Sequence, residues 1–183
     1  MPTKQTNPKV AEACIKVVED AFRRMAPAIT FSQAAESIDQ NIIEYESRMR
    51  VFGMEIFNAT CFIAVINYYL SEQHQKNHDA SGALVVYIEE SVAGRLLKAL
   101  GYRDFDEDEE GAVLEKLGQF AQVLAESYKQ EIGQPGLILA PPKTYRNTVP
   151  EGVEFSYDQY TKYQTKFFIW KQKALAVDVT LKA

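Results

Sequence analysis

The chain has 183 residues, 46% of them hydrophobic and 25% charged, with a formal charge of -5 and a sequence pI near 5.2. That is enough apolar material for one substantial core and little for two, and no basic run accompanies the aromatic residues, which argues against a nucleic-acid surface. The segment Met1 to Pro8 is polar without an apolar h-region, and the most apolar run, Thr60 to Leu70, is about half a membrane span and is interrupted by Asn67. The expectation is one soluble cytoplasmic domain over residues 1–183, with residues 1–7 as a tail.

In chain order, Asn7-Pro8 reads as an N-cap with proline at the first helical position. Val10, Cys14, Val17, Val18, Ala21, Phe22 and Met25 then supply one helical face as far as Pro27. Ala28 to Ala34 suggests a short strand, and Ala35 to Glu46 carries mixed signals that leave it unassigned. Arg48 to Phe57 alternates with apolar residues on both faces, as a central strand does. Asn58-Ala59 suits a turn into a second strand, Cys61 to Leu70, rich in β-branched and aromatic residues. Ser71 to Ser81 reads as a polar loop, and Gly82 to Glu90 as a third strand. Ser91 is positioned to cap a short helix that ends at Gly101.

The stretch from Asp106 to Gly133 is a long amphipathic helix, expected over about 108–132. Val113, Leu117, Phe120, Ala121, Leu124, Tyr128 and Ile132 recur at helical spacing on one side. At about 100° per residue, Glu115, Gln119, Gln122, Glu126 and Lys129 form a polar stripe on another side. Such a stripe is what a solvated helix face looks like; it is also where chemistry would sit if this helix performs any. The acids Asp104, Asp106, Glu107, Asp108, Glu109 and Glu110 lie before and in the first turn, where carboxylates favour the helix dipole, and Gly133 and Pro135 stop the helix. Leu137 to Ala140 is a brief strand ended by Pro141-Pro142, and Lys143 to Glu151 a loop. Lys162 to Trp170 and Leu175 to Lys182 are strands joined through Lys171, Gln172 and Lys173 as a hairpin. The order implies an α+β fold, an antiparallel or mixed sheet with three main helices, two long and one short, packed on one face.

Other features point away from common chemistries. Cys14 and Cys61 are isolated and read as buried thiols of a reducing compartment. His74 and His78 are spaced i, i+4 but lie among polar residues, so no metal site is expected. Tyr157, Tyr160 and Tyr163, with Phe167 and Trp170, are aromatics that pack on a sheet rather than a nucleotide platform. The sequence contains no glycine-rich phosphate loop, zinc motif or nucleophile elbow.

Four segments, taken in order, resemble a known family. NPKVAEACIKVVEDAFRRM, GALVVYIEESVAGRLLKALG, LEKLGQFAQVLAES and LILAPP are similar to successive elements of the chemotaxis phosphatases that include CheX and CheC, the CheX branch more closely. In that family the active helix carries Glu-x-x-Asn after a Leu-Gly pair. With Leu117-Gly118 on that pair, Gln119 takes the Glu position and Gln122 the Asn position, and Glu126-Ser127 replaces a following Gly-Asn. The resemblance implies Gln119 and Gln122 as the catalytic pair and a phosphorylated CheY-like response regulator as partner. Glu115, Glu126 and Lys129, on the same stripe, are the expected partner contacts. It implies no cofactor in this chain, Mg2+ being supplied by the partner's receiver domain, and a homodimer formed by strands, as in the CheX branch. A catalytically inactive binding module of the same fold is the alternative.

Overall fold

A computed structural model describes residues 7–41, 43–45, 49–51, 60–147, 150–155 and 161–181. Helix α1 (Pro8–Met25) opens it, with the Asn7 side chain accepting from the amide of Lys9 and Pro8 in the first turn. The strands that follow are β1 (Phe31–Asn41), the short pair β2 (Ile43–Tyr45) and β3 (Met49–Val51), and β4 (Cys61–Tyr69). Next come α2 (Glu72–Lys76), β5 (Gly82–Glu89), α3 (Glu90–Ala99) and α4 (Glu110–Glu131). The chain ends in β6 (Ile138–Leu139), β7 (Lys143–Asn147), β8 (Thr161–Ile169) and β9 (Gln172–Leu181).

Seven strands form one antiparallel sheet in the order β1-β8-β9-β5-β4-β6, with β7 also pairing β4. Strands β4 and β5 are apolar on both faces and lie inside the sheet, which is where such strands are stable. On one face Phe62, Ala64, Ile66, Tyr68, Leu84, Val86 and Ile88 pack under α1, α3 and α4 in the larger core. On the other, Cys61, Ile63, Val65, Val85 and Tyr87 are covered within the chain, in part by Val153 and Phe155. The fold is therefore α+β with its long helices on one face.

Several expectations change. The expected strand Arg48 to Phe57 is central nowhere among the described residues: Met49–Val51 pairs Ile43–Tyr45 in a separate two-stranded sheet, and the remainder, with Asn58-Ala59, lies outside the described residues. The strand expected over Ala28 to Ala34 is β1, which begins at Phe31 and continues into the unassigned stretch as far as Asn41 because β8 supplies its hydrogen bonds. Ser71 to Ser81 contains the one-turn helix α2, capped by the Ser71 side chain. Lys143 to Glu151 is not all loop, since Lys143 to Asn147 pairs β4 from Val65 back to Cys61. Helix α3 is capped by the Glu89 carboxylate, which accepts from the amide and hydroxyl of Ser91. The β8–β9 hairpin turns in two residues, Trp170 and Lys171, both at positive φ, with Ile169 opposite Gln172.

Candidate functional site

Helix α4 is held on the sheet by its apolar side, where Leu117, Phe120, Ala121, Leu124 and Tyr128 are fully buried. Phe120 meets Phe22 of α1 edge to face with ring centroids 6.0 Å apart, and the Tyr128 hydroxyl donates to the Val10 carbonyl at 3.3 Å. On the other flank the Tyr68 hydroxyl donates to the Ala125 carbonyl at 2.8 Å. Gly118 is buried on this flank, and a Cβ there would lie 3.2 Å from Thr144 Cγ2 and 3.4 Å from Pro142 Cγ. The absent side chain lets α4 lie close against β7 and the Pro141-Pro142 segment.

The polar stripe emerges beside that flank. Gln119 and Gln122 are both exposed, about 60° apart around the helix. Gln119 Nε2 donates to Glu115 Oε1 at 3.4 Å, and Glu115 also lies 3.9 Å from Lys116 Nζ. Glu126 pairs with Lys129 at 3.1 Å, and Lys129 Nζ donates to the Leu137 carbonyl at 3.1 Å. The Lys129 side chain is only 13% exposed; of the five stripe residues it is the one committed to the chain's own interior edge. The structure thus brings four exposed side chains together on α4: two acids, Glu115 and Glu126, and two amides between them.

The amides can donate and accept hydrogen bonds without titrating. Acids lie before the start of α4, where Asp106 accepts from the Asp108 amide and Glu107 lies 3.6 Å from Lys98, while Arg146 of β7 pairs with Glu90 at the start of α3 at 2.8 Å. Sequence reasoning missed the seating of this helix, because Thr144 lies in a segment read as loop. The signal was the alternation of Lys143-Thr144-Tyr145-Arg146 after the proline pair.

The other candidates are occupied elsewhere. His74 Nδ1 lies 2.6 Å from Ser71 Oγ, and His78 Nδ1 lies 3.0 Å from Glu154, which Tyr69 and Lys143 also hold. Tyr163 and Phe167 are buried, Trp170 lies under Arg95 with the guanidinium 3.7 Å from the ring centre, and Tyr157 and Tyr160 lie outside the described residues. Burial pushes the Cys14 and Cys61 thiols up to about 12, which leaves them unreactive at neutral pH. No helix among the described residues is long and apolar enough to cross a membrane.

No family model and no curated protein sequence matches the chain. Solved structures do. A CheC-like superfamily protein from Shewanella sp. PV-4 aligns with 97% of this chain and 100% of its own, at 11% identity and a TM-score of 0.64. The chemotaxis protein CheX from Desulfovibrio desulfuricans aligns with 94% of this chain and 98% of its own, at 12% identity and a TM-score of 0.61. A chain of the CheX–CheY–BeF3–Mg complex from Borrelia burgdorferi aligns over 95% of this chain and 98% of that one, at 11% identity and a TM-score of 0.55. The likeness is one of fold: this chain has the CheX/CheC-like fold.

Proposed function

We propose that this chain is a chemotaxis or two-component signalling protein of the cytoplasm that meets a phosphorylated CheY-like response regulator and hydrolyses its phosphoaspartate. The observation that carries the reading is α4, a helix seated firmly by one flank in a CheX/CheC-like fold while it presents Gln119 and Gln122 together to solvent. That a structure of this fold occurs in a CheX–CheY complex supports a receiver domain as partner.

The chemistry asked of this chain is small. The receiver supplies Mg2+ and a lysine, so this chain needs a docking surface and a group that orients water. Gln122 supplies that group: its carboxamide accepts from one water proton and donates to an oxygen of the phosphoryl group, aligning the water oxygen with phosphorus. As the water–phosphorus bond forms, the bond from phosphorus to the aspartyl oxygen breaks. Phosphate leaves, the carboxylate is regenerated, and the water proton departs with phosphate or solvent. Gln119 docks against the receiver, and Glu115 and Glu126 provide the negative charge that faces its cations.

A second reading, recognition of the receiver without turnover, is favoured by one feature. Gln119 carries no charge and its amide is engaged with Glu115, so a charge-assisted contact to a lysine is missing at that point. The test is the decay of aspartyl phosphate on a receiver of the same organism, with and without the full chain. Acceleration abolished by Gln122→Ala is expected. Saturable binding with an unchanged decay rate selects the second reading, and neither binding nor acceleration contradicts both. We place a two-fold homodimer beside this reading, formed through the sheet edge and leaving α4 free on each subunit.

A further inference from the structure

We propose that Gly118 is a positioning residue, the point at which α4 is seated on the ridge formed by Pro142 and Thr144, and that this seat sets the depth at which Gln119 and Gln122 meet the partner. The inference rests on the reading above for the identity of that partner, and on independent geometry for the seat itself.

A Cβ at position 118 would lie 3.2 Å from Thr144 Cγ2, 3.4 Å from Pro142 Cγ and 3.7 Å from Pro142 Cβ. Both neighbours are stiff. Pro142 is a closed ring, and Thr144 is β-branched and held in register opposite Ala64 on β4. With the ridge unable to yield, an added methyl moves the helix. About two and three helical turns further on, the same flank is tied down by Tyr68 on the Ala125 carbonyl at 2.8 Å and Lys129 on the Leu137 carbonyl at 3.1 Å. Gln119 and Gln122 lie between the seat and these ties, so a lift at Gly118 tilts the span that carries them. Gln122 is about 40° around the helix from Gly118 and is exposed.

The experiment measures kcat and KM for dephosphorylation of a phosphorylated CheY-like receiver by the full chain and its variants, with melting curves to establish folding. Gly118→Ala is expected to lower kcat about tenfold at a KM within about twofold of wild type, since displacements near 1 Å cost up to about a hundredfold in rate. Thr144→Ser removes the methyl at 3.2 Å and keeps the hydroxyl; alone it is expected to be neutral, and combined with Gly118→Ala to restore the rate. Thr144→Ile, which crowds the seat from the strand side, is expected to slow the reaction without any change at position 118, and it serves if Gly118→Ala fails to fold. Unaltered kcat in Gly118→Ala, or a loss that Thr144→Ser does not rescue, overturns the seat while leaving the function intact. A wild-type chain that accelerates nothing removes the function and the seat's role together.

Discussion

At the scale of single residues, the decisive position is Gln119. Its side chain has the reach of glutamate without the charge, and its amide is spent on Glu115 at 3.4 Å. Gln119→Glu is expected to tighten receiver binding about tenfold, the effect of one added charge-assisted hydrogen bond; titration calorimetry checks it, and unchanged affinity would place this residue outside the interface. A second residue-scale prediction concerns the far side of the sheet, where Lys162 and Asp178 are fully buried and paired at 3.4 Å, with Tyr87 donating to the same Asp178 oxygen at 2.7 Å. Burial, above all, raises the Asp178 pKa above the ordinary carboxylate range and lowers that of Lys162 below the ordinary lysine range. A carboxyl whose folded pKa is raised contributes most to stability below its unfolded pKa, and that contribution is lost as pH rises through the folded value. Lys162→Met leaves the Asp178 charge without its lysine. It is expected to cost about 3–5 kcal/mol at pH 7, and less as pH falls below the raised Asp178 value. Urea melts stepped from pH 7 downward read the difference, and a cost that does not change with pH would contradict it.

At the scale of elements, α4 was legible because a 3.6-residue period separates Leu117, Phe120, Leu124 and Tyr128 from the glutamines. Leu117, with no exposed surface, gives the sharpest check: Leu117→Asp is expected to unfold the chain, since a carboxylate in that core costs several kcal/mol. A normal melting curve for the variant would contradict the burial. Strands β4 and β5 were legible for the same kind of reason, being apolar on both faces. The strands that were misread are those whose conformation comes from a neighbour. β1 is polar and lies at an edge, β7 follows two prolines, and each is a strand because β8 or β4 offers hydrogen bonds. The β8–β9 turn escaped because Trp170 and Lys171 are poor residues for two successive positive φ angles, 54° and 62°. Trp170 gains Arg95 stacking in exchange, whereas among the described residues Lys171 gains only a backbone contact to Ser32 that glycine would keep. Lys171→Gly is therefore expected to stabilise the chain by about 0.5–1 kcal/mol, read as a higher denaturant midpoint; a lower midpoint would show that the lysine side chain is needed.

At the scale of the molecule, the sheet has one face under the helices, one face closed within the chain, and one long edge. The terminal hairpin is not that edge, since β8 and β9 lie inside the sheet between β1 and β5. The outer strand is β1, largely polar, with Ile38 44% exposed. The apolar second face of β4 offers no argument for a partner, being buried against residues such as Val153 and Phe155. The proposed dimer therefore rests on β1 meeting β1 of a second copy across a two-fold axis. Light scattering is expected to give about twice the 20.7 kDa chain mass, falling to one chain in Ile38→Lys; a wild-type monomer would remove this interface. Such a dimer leaves both α4 helices free, so assembly and partner recognition are separable. The most direct test of the whole account is titration of a receiver domain, held active by beryllofluoride and Mg2+, into the full chain, its Gln119→Ala/Gln122→Ala variant and Ile38→Lys. The account predicts saturable binding that weakens about tenfold or more in the double variant and is unchanged per subunit in Ile38→Lys, whereas no binding, or binding indifferent to both glutamines, would contradict it.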